Sequence, residues 1–233
     1  MYCVYKVILD TKPLGRNMRN IYWISLISLL FVCSCKEKKQ TEVVPVAEEN
    51  GISLKVDTAA SIIYWKGFGP KTEHSGTLKL KEGIITVVGN NVKLGGFIID
   101  MNTIKCTSIT DAANNKKLVT HLNRGDFFNV ARYPEARFTI YNSTEIKSDS
   151  LTHRLNGALE LIGMEKGVTF DAKITKNGDT YKAITAPFNI DRTLWGIKYG
   201  SNTVYDAMQN SIVEDNIQIQ VVITARLEST DLK

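Results

Sequence analysis

From residue 52 onward, apolar and polar residues alternate in short runs. Across Arg154–Leu161, the apolar Leu155, Leu159 and Leu161 share a face with Gly157, while Arg154, Asn156 and Glu160 take the other. In Asn216–Thr224 the odd positions are apolar and the even ones mostly polar, and Ala136–Ile140 and Val168–Ile174 repeat the rule. A period of two puts one face of a strand in a core and the other in water. Turn-forming clusters separate the runs: Lys81-Glu82-Gly83, Gly89-Asn90-Asn91, Ser148-Asp149-Ser150 and Asn177-Gly178-Asp179. Eight or nine such segments between 52 and 228 predict an antiparallel all-β domain. Because strand edges must be hidden, a closed barrel is favoured over an open sheet. One stretch departs from the rule. Leu118 and Leu122, four apart in Asn115–Leu122, predict a short helix before Gly125, and residues 105–114 upstream read as a mobile polar loop.

The N-terminus has a different pattern. Residues 21–32 form a twelve-residue apolar run behind Arg19 and stop abruptly at Lys36-Glu37-Lys38-Lys39. A membrane span needs about 20 residues, so the run predicts an export signal rather than an anchor helix. Its ending, Val32-Cys33-Ser34-Cys35, resembles a lipobox, with Cys35 the better candidate for lipidation because a small residue precedes it. Two or more acyl chains anchor stably. Met18 is an alternative start, since Met18-Arg19 opens a signal of ordinary length. Residues 1–35 are read as a lipoprotein signal peptide, 36–51 as a flexible polar tether and 52–229 as the β domain. Cleavage before Cys35 would leave Cys106 as the sole remaining thiol, a free one in a Thr/Ser loop.

Composition narrows the function classes. The 233 residues are 43% hydrophobic and 23% charged, which is globular composition and excludes a collagen-like or disordered chain. Lys and Arg number 29 against 24 Asp and Glu. Residues 1–35 hold four of the bases (Lys6, Lys12, Arg16, Arg19) and one acid (Asp10), which leaves 25 bases against 23 acids. A surplus of two gives no electrostatic reason to expect nucleic acid as a partner.

The inventory of reactive groups is thin. His74, His121 and His153 lie far apart without partners at metal-ligand spacing, so no metal or cofactor is expected. No nucleophile elbow or phosphate loop is present, and Gly95-Gly96 lacks the rest of a dinucleotide fingerprint. These absences point away from an enzyme, although a site assembled from distant residues stays open. The apolar inventory is richer: Trp65, Phe68, Phe97, Phe138, Phe170, Phe188, Trp195 and Tyr199 are spread over most of the predicted strands. An eight-stranded barrel is just wide enough to be filled by side chains or to hold one small ligand. Periodicity does not choose between the two.

The segment His121–Phe138, with Leu122, then Asp126-Phe127-Phe128, then Tyr133-Pro134 and Phe138, resembles the YceI-like family. Further matches run in order: Ser61–Gly67, Glu73–Leu78, Ile98–Ile104, Asn156–Gly163 and Ile190–Ile197, so the resemblance covers about residues 53 to 228. Met164-Glu165-Lys166 stands where the family commonly has Val-Thr-Lys, a turn variation. The resemblance implies an extended antiparallel eight-stranded, lipocalin-like β-barrel with a short helix near one end. It also implies non-enzymatic binding, sequestration or transport of a long-chain isoprenoid or related lipid, a polyisoprenoid or an isoprenoid quinone, in the cell envelope. Ligand efficiency of about −0.3 kcal/mol per heavy atom makes a ~20-atom chain worth about −6 and a ~40-atom chain about −12 kcal/mol. Micromolar affinity needs about −8 kcal/mol, so a long tail suffices where a short metabolite does not.

Within that frame the predicted lining comprises Phe97, Ile99, Phe138, Leu159, Leu161, Phe170, Phe188, Ile219 and Val221, with Trp65 and Trp195 beside it. Arg192 either meets a ligand head group or pairs with a structural carboxylate. Asp126-Phe127-Phe128 and Tyr133-Pro134 are expected to fix the helix-to-strand turn and plug one end. The expected location is the cell envelope, lipid-anchored and facing the periplasm or the surface. The alternatives are a filled barrel that binds a partner on its outside, and an enzyme with a His or Arg at the barrel mouth. A homodimer stays open.

Overall fold

The computed structural model describes residues 51–204 and 212–227, and the export run, Cys35 and most of the tether lie outside them. The alternating segments form ten strands: β1 (Ile52–Val56), β2 (Ile62–Phe68), β3 (Glu73–Val88), β4 (Asn91–Cys106), β5 (Glu135–Glu145), β6 (His153–Leu161), β7 (Met164–Asn177), β8 (Thr180–Thr185), β9 (Phe188–Asp191) and β10 (Asn216–Leu227). Helix α1 (Ala112–Leu122) separates β4 from β5, and a 3₁₀ turn (Arg192–Trp195) comes after β9.

Ten strands make eight staves. On one side of β10, β2 pairs with its first half and β1 with its last residues; both also pair with β3. On the other side, β9 pairs with the first half of β10 and β8 with the second. β1–β2 and β8–β9 are therefore two staves, each broken once, and with β3, β4, β5, β6, β7 and β10 they close an antiparallel ring. The expected eight-stranded closure is present, with the extra segments arising from the two breaks.

Hydroxyls patch both breaks in the same way. Where β1 gives way to β2, the Thr224 N–H donates to Ser61 Oγ at 3.0 Å, and Ser61 Oγ donates to Asp57 O at 2.7 Å. Where β8 gives way to β9, ahead of Pro187, the Val221 N–H donates to Thr185 Oγ1 at 2.9 Å. A proline has no N–H to offer a ladder, so a break there is expected. Each hydroxyl satisfies a β10 donor that would otherwise be orphaned in a buried wall.

The barrel is long. β3 and β4 have 16 residues each. At ~3.3 Å per residue and a tilt near 40° this gives roughly 40 Å along the axis. One end carries the β2–β3 connection, the segment 107–134 with α1, the β6–β7 turn and the 3₁₀ turn. The other carries the β3–β4, β5–β6 and β7–β8 connections. The outward faces mix polar pairs with exposed apolar residues such as Ile84 and Leu94; the Arg154 guanidinium donates to Asp171 across β6 and β7 at 2.7 and 3.0 Å.

Three expectations are corrected. Lys81-Glu82-Gly83 is no turn but lies inside β3, where the pairing with β4 slips by one residue between Leu80 and Glu82. A bulge bends a strand without ending it. The polar segment 105–114 is pinned rather than mobile: the Thr107 and Ser108 N–H groups donate to Ser75 O, and Asn115 Nδ2 donates to Cys106 O and Ile109 O. The helix accordingly starts earlier, at Ala112, capped by the Asp111 carboxylate on the Asn114 N–H. Cys106 ends β4 with its side chain buried, and is not in a loop.

Candidate functional site

Inward side chains from all eight staves surround one cavity of about 440 Å³. Its wall is the apolar set of the period-two pattern. From β4 come Phe97, Ile99 and Met101, and from β5 Ala136, Phe138 and Ile140; β6 adds Leu155, Leu159 and Leu161. Next come Val168, Phe170, Ala172 and Ile174 from β7, then Ile217, Ile219, Val221 and Ile223 from β10. The rings line the wall instead of meeting at the axis.

Two glycines explain how the rings lie flat. Phe97 contacts Phe138 at 6.3 Å between centroids, Phe138 contacts Phe170 at 5.5 Å, and Phe170 stacks on Phe188 at 4.6 Å. Phe138 is on β5 and Phe170 on β7, so the first ring must cross β6 to reach the second. It crosses at Gly157, where a Cβ would sit 2.8 Å from Phe138 Cζ. The Trp65 indole likewise lies over Gly76 on the neighbouring β3, where a Cβ would come within 2.6 Å of the ring. At both positions a Cβ would also run into the backbone carbonyl of the neighbouring strand, Thr139 O at Gly157 and Lys105 O at Gly76, so only glycine lets strand and ring pack together there.

Polarity is concentrated towards one end. Of the non-glycine lining residues, Trp65, Thr72, His74, His121, Arg192, Tyr199 and Glu214 carry polar groups towards the α1 end, and Thr185 is a lone hydroxyl deeper in. Thr72, Tyr199 and Glu214 are exposed, so the cavity reaches the surface there. At the other end Leu54, Val56, Val87, His153 and Ala225 are buried beyond the lining and close it. The result is a blind apolar sleeve with a polar collar at its mouth.

The collar draws Thr72 and His74 from around the start of β3, Arg192 and Tyr199 from the 3₁₀ turn and beyond, Glu214 from just before β10, and His121 from α1. Leu118, His121 and Leu122 reach the cavity from one face of the helix. His121 Nε2 lies 2.7 Å from Asp126 Oδ2, and its ring packs edge-on against Phe127 at 5.0 Å and Tyr199 at 4.5 Å. The Phe128 N–H donates to Leu122 O and the Val130 N–H to Asn123 O, which holds Phe127 and Phe128 over the mouth. Pro134 O accepts from the Met101 N–H as the chain enters β5. Phe127 and Phe128 thus line the mouth where the sequence places a plug.

Arg192 reaches the cavity but is fully buried, and its guanidinium is engaged by backbone carbonyls and a carboxylate. Nε donates to Glu214 O at 3.1 Å, Nη1 to Ile197 O at 2.8 Å, and Nη2 to Val213 O at 2.8 Å and Asp215 Oδ1 at 3.4 Å. Burial pushes its pKa down, against the pull of Asp215 and Asp191. It remains charged at neutral pH. Of the two roles open for Arg192, the structure shows the structural one. Trp195 is a correction: it is only 1% exposed, stands outside the lining and donates from Nε1 to Leu159 O at 2.9 Å. It ties the 3₁₀ turn to β6. The other residues expected to line a site, Trp65, Phe97, Ile99, Phe138, Leu159, Leu161, Phe170, Phe188, Ile219 and Val221, all face the cavity. His74, His121 and Tyr199 were not among them. Nothing in the alternation distinguishes a collar histidine from any other, because the collar exists only where α1 and the connections at that end come together.

Among the described residues no three His, Cys, Asp or Glu side chains converge as a metal site, and no helix is long and apolar enough to cross a membrane.

Comparison with known proteins points one way. The sequence model of the YceI-like domain matches residues 54–225. Protein YceI of Escherichia coli is 36% identical over 104 residues, 45% of this chain and 50% of that protein, so the chain spans about half the length of the curated relatives it matches. BcnA of Burkholderia cenocepacia superposes with a TM-score of 0.57 at 19% identity, covering 72% of this chain and 98% of BcnA. A polyisoprenoid binding domain from Saccharophagus degradans, implicated in plant cell wall breakdown, superposes with a TM-score of 0.52 at 12% identity over 76% of this chain and 99% of its own. At these identities the two structures establish the barrel fold and nothing finer.

Proposed function

The chain belongs to the YceI-like family, and from that premise we propose that it binds a long-chain isoprenoid or related lipid inside the barrel and carries or sequesters it without chemistry. One observation carries the reading: the barrel cavity is apolar through most of its depth, and its polar groups are concentrated towards the open end. That distribution fits an amphiphile whose tail enters the sleeve and whose polar head stays at the collar. Burial of the tail supplies affinity at roughly 25 cal/mol per Å² of apolar surface, less the cost of ordering it. The polyisoprenoid-binding Saccharophagus domain of the same fold supports the choice of tail.

The cellular setting belongs to the same proposal. Export by the apolar run at residues 21–32 and lipidation of Cys35 would tether the barrel to an envelope membrane, where such lipids reside. Intact-mass measurement of the membrane fraction checks this part: an acylated chain beginning at Cys35 is expected, and an unprocessed N-terminus overturns it.

The binding proposal is tested by native mass spectrometry of the domain purified without detergent, then by extraction and identification of the ligand. A co-purifying prenyl lipid is expected, absent from an Ala183→Phe variant that fills the sleeve. A consistently empty wild-type barrel would instead favour a protein that works through its outer face. Turnover lost on replacing His74 or His121 by Ala would favour an enzyme.

A further inference from the structure

Two buried nitrogens on the cavity wall have no hydrogen-bond partner in the protein: Trp65 Nε1 and His74 Nδ1. Both residues line the cavity, and the Trp65 side of the pair belongs to a residue that is more than nine-tenths buried. They are neighbours by construction of the sheet. Trp65 pairs with Gly76 across β2 and β3, and its indole lies on Gly76 with Cε2, the carbon bonded to Nε1, 2.7 Å from where a Cβ would be. His74 precedes Gly76 by two residues on the same inward face, ~7 Å along the strand. An indole N–H only donates, and an imidazole Nδ1 donates or accepts according to tautomer. Leaving such groups unpaired in an apolar wall costs about 1–3 kcal/mol each, so the wall is built to meet a polar atom.

The charge of the surroundings decides which kind. Among the described lining residues Arg192 is the one permanent cation, and four of its five N–H donors are committed to three carbonyls and Asp215. Glu214 also lines the mouth, and Asp126 stands behind His121. A phosphate or diphosphate head would lose its water here without gaining an uncommitted cation, and the Glu214 carboxylate would face it. An uncharged oxygen carries no such penalty.

We infer that Trp65 and His74 form a head-group subsite for an uncharged oxygen, a carbonyl or a hydroxyl, on the bound lipid. This rests on the lipid-binding reading of the same cavity and adds the chemistry of the head. A carbonyl accepts from Trp65 Nε1 and from a protonated His74 Nδ1. A hydroxyl accepts from Trp65 and donates to an unprotonated His74 Nδ1.

The test compares four probes with one prenyl chain length on the purified domain: the bare hydrocarbon, the alcohol, a prenylated quinone and the diphosphate. The alcohol or the quinone is expected to bind about tenfold more tightly than the hydrocarbon, and the diphosphate more weakly than either. Which of the two wins separates hydroxyl from carbonyl. In Trp65→Phe and in His74→Leu, the preference over the hydrocarbon is expected to fall towards one, whatever happens to the affinity for the tail. Should Trp65→Phe not fold, indole ¹⁵N–¹H spectra of the wild type serve instead. The Trp65 Nε1–H resonance shifts downfield with the alcohol or quinone and not with the hydrocarbon, and Trp195, already bonded to Leu159 O, is the internal control. Equal binding of hydrocarbon and oxygenated probes, or tightest binding of the diphosphate, overturns the subsite while leaving lipid binding in place. Binding of none of the four overturns both.

Discussion

Single residues set the bore of the barrel and the stiffness of its rim. Gly157 is the position where one missing methyl group lets Phe138 span β6 to reach Phe170. Replacing it by Val sets a Cβ against both the Thr139 carbonyl and the Phe138 ring, so the β5–β6 pairing must give as well as the ring. The expected loss exceeds the ~1–3 kcal/mol of ordinary overpacking and takes part of the ligand space with it. Chemical denaturation together with ligand titration reads both effects. Arg192 is the second such residue. Arg192→Met leaves the Asp215 carboxylate and three carbonyls short of a donor in a buried setting, an expected loss of about 3–5 kcal/mol by urea melt. Arg192→Lys rescues little of it, because one ammonium does not copy a planar fork that reaches four acceptors. Neither role is legible in the sequence, where Arg192 beside Trp195 reads equally well as a ligand contact. The guanidinium's direction depends on residues 213–215 returning alongside β9, a tertiary fact.

At the scale of elements, the two broken staves are the informative feature. Ser61 and Thr185 each accept from a β10 N–H, at Thr224 and Val221. Ser61→Ala and Thr185→Ala should each cost about 1–2 kcal/mol. Native-state hydrogen exchange should quicken at Thr224 in the first variant and at Val221 in the second, and protection unchanged at both amides would contradict the assignment. Strand pairing also has a pH signature. The hydrogen bond from Arg154 holds the Asp171 carboxyl below the ordinary carboxylate range. Its folded pKa is thus lower than its unfolded one, so the pair's contribution is full above about 3.9 and is lost as the pH falls through the folded value. Asp171→Asn should lower Tm at neutral pH, and the gap to wild type should close in strong acid. Most of this level is visible in the chain. Alternation marks the strands and Leu118 and Leu122 mark the helix, but Lys81-Glu82-Gly83 reads as a turn because bulges and turns use the same residues.

For the whole molecule, closure into eight staves is what turns an apolar face into a container. A ligand held only by the folded state stabilises it by RT ln(1 + [L]/Kd), about 2.7 kcal/mol at a hundredfold excess over Kd. For a domain of this size that corresponds to a rise in Tm of roughly 5–10 °C. Differential scanning fluorimetry with a prenyl lipid should show the rise in the wild type and not in Ala183→Phe. A rise of equal size in both would place the lipid outside the sleeve.

The alternation of side chains by itself determined the fold class and which residues point inward, because a two-residue period is a local property of extended backbone. Whether those inward residues fill the interior or surround a void was decided only by the tertiary structure. The answer depends on the radius at which eight staves close, on where Gly76 and Gly157 let rings lie flat, and on the helix and connections that come together as a polar collar at one end. Each of these joins residues far apart in the chain, and no pattern along it records their distance in space.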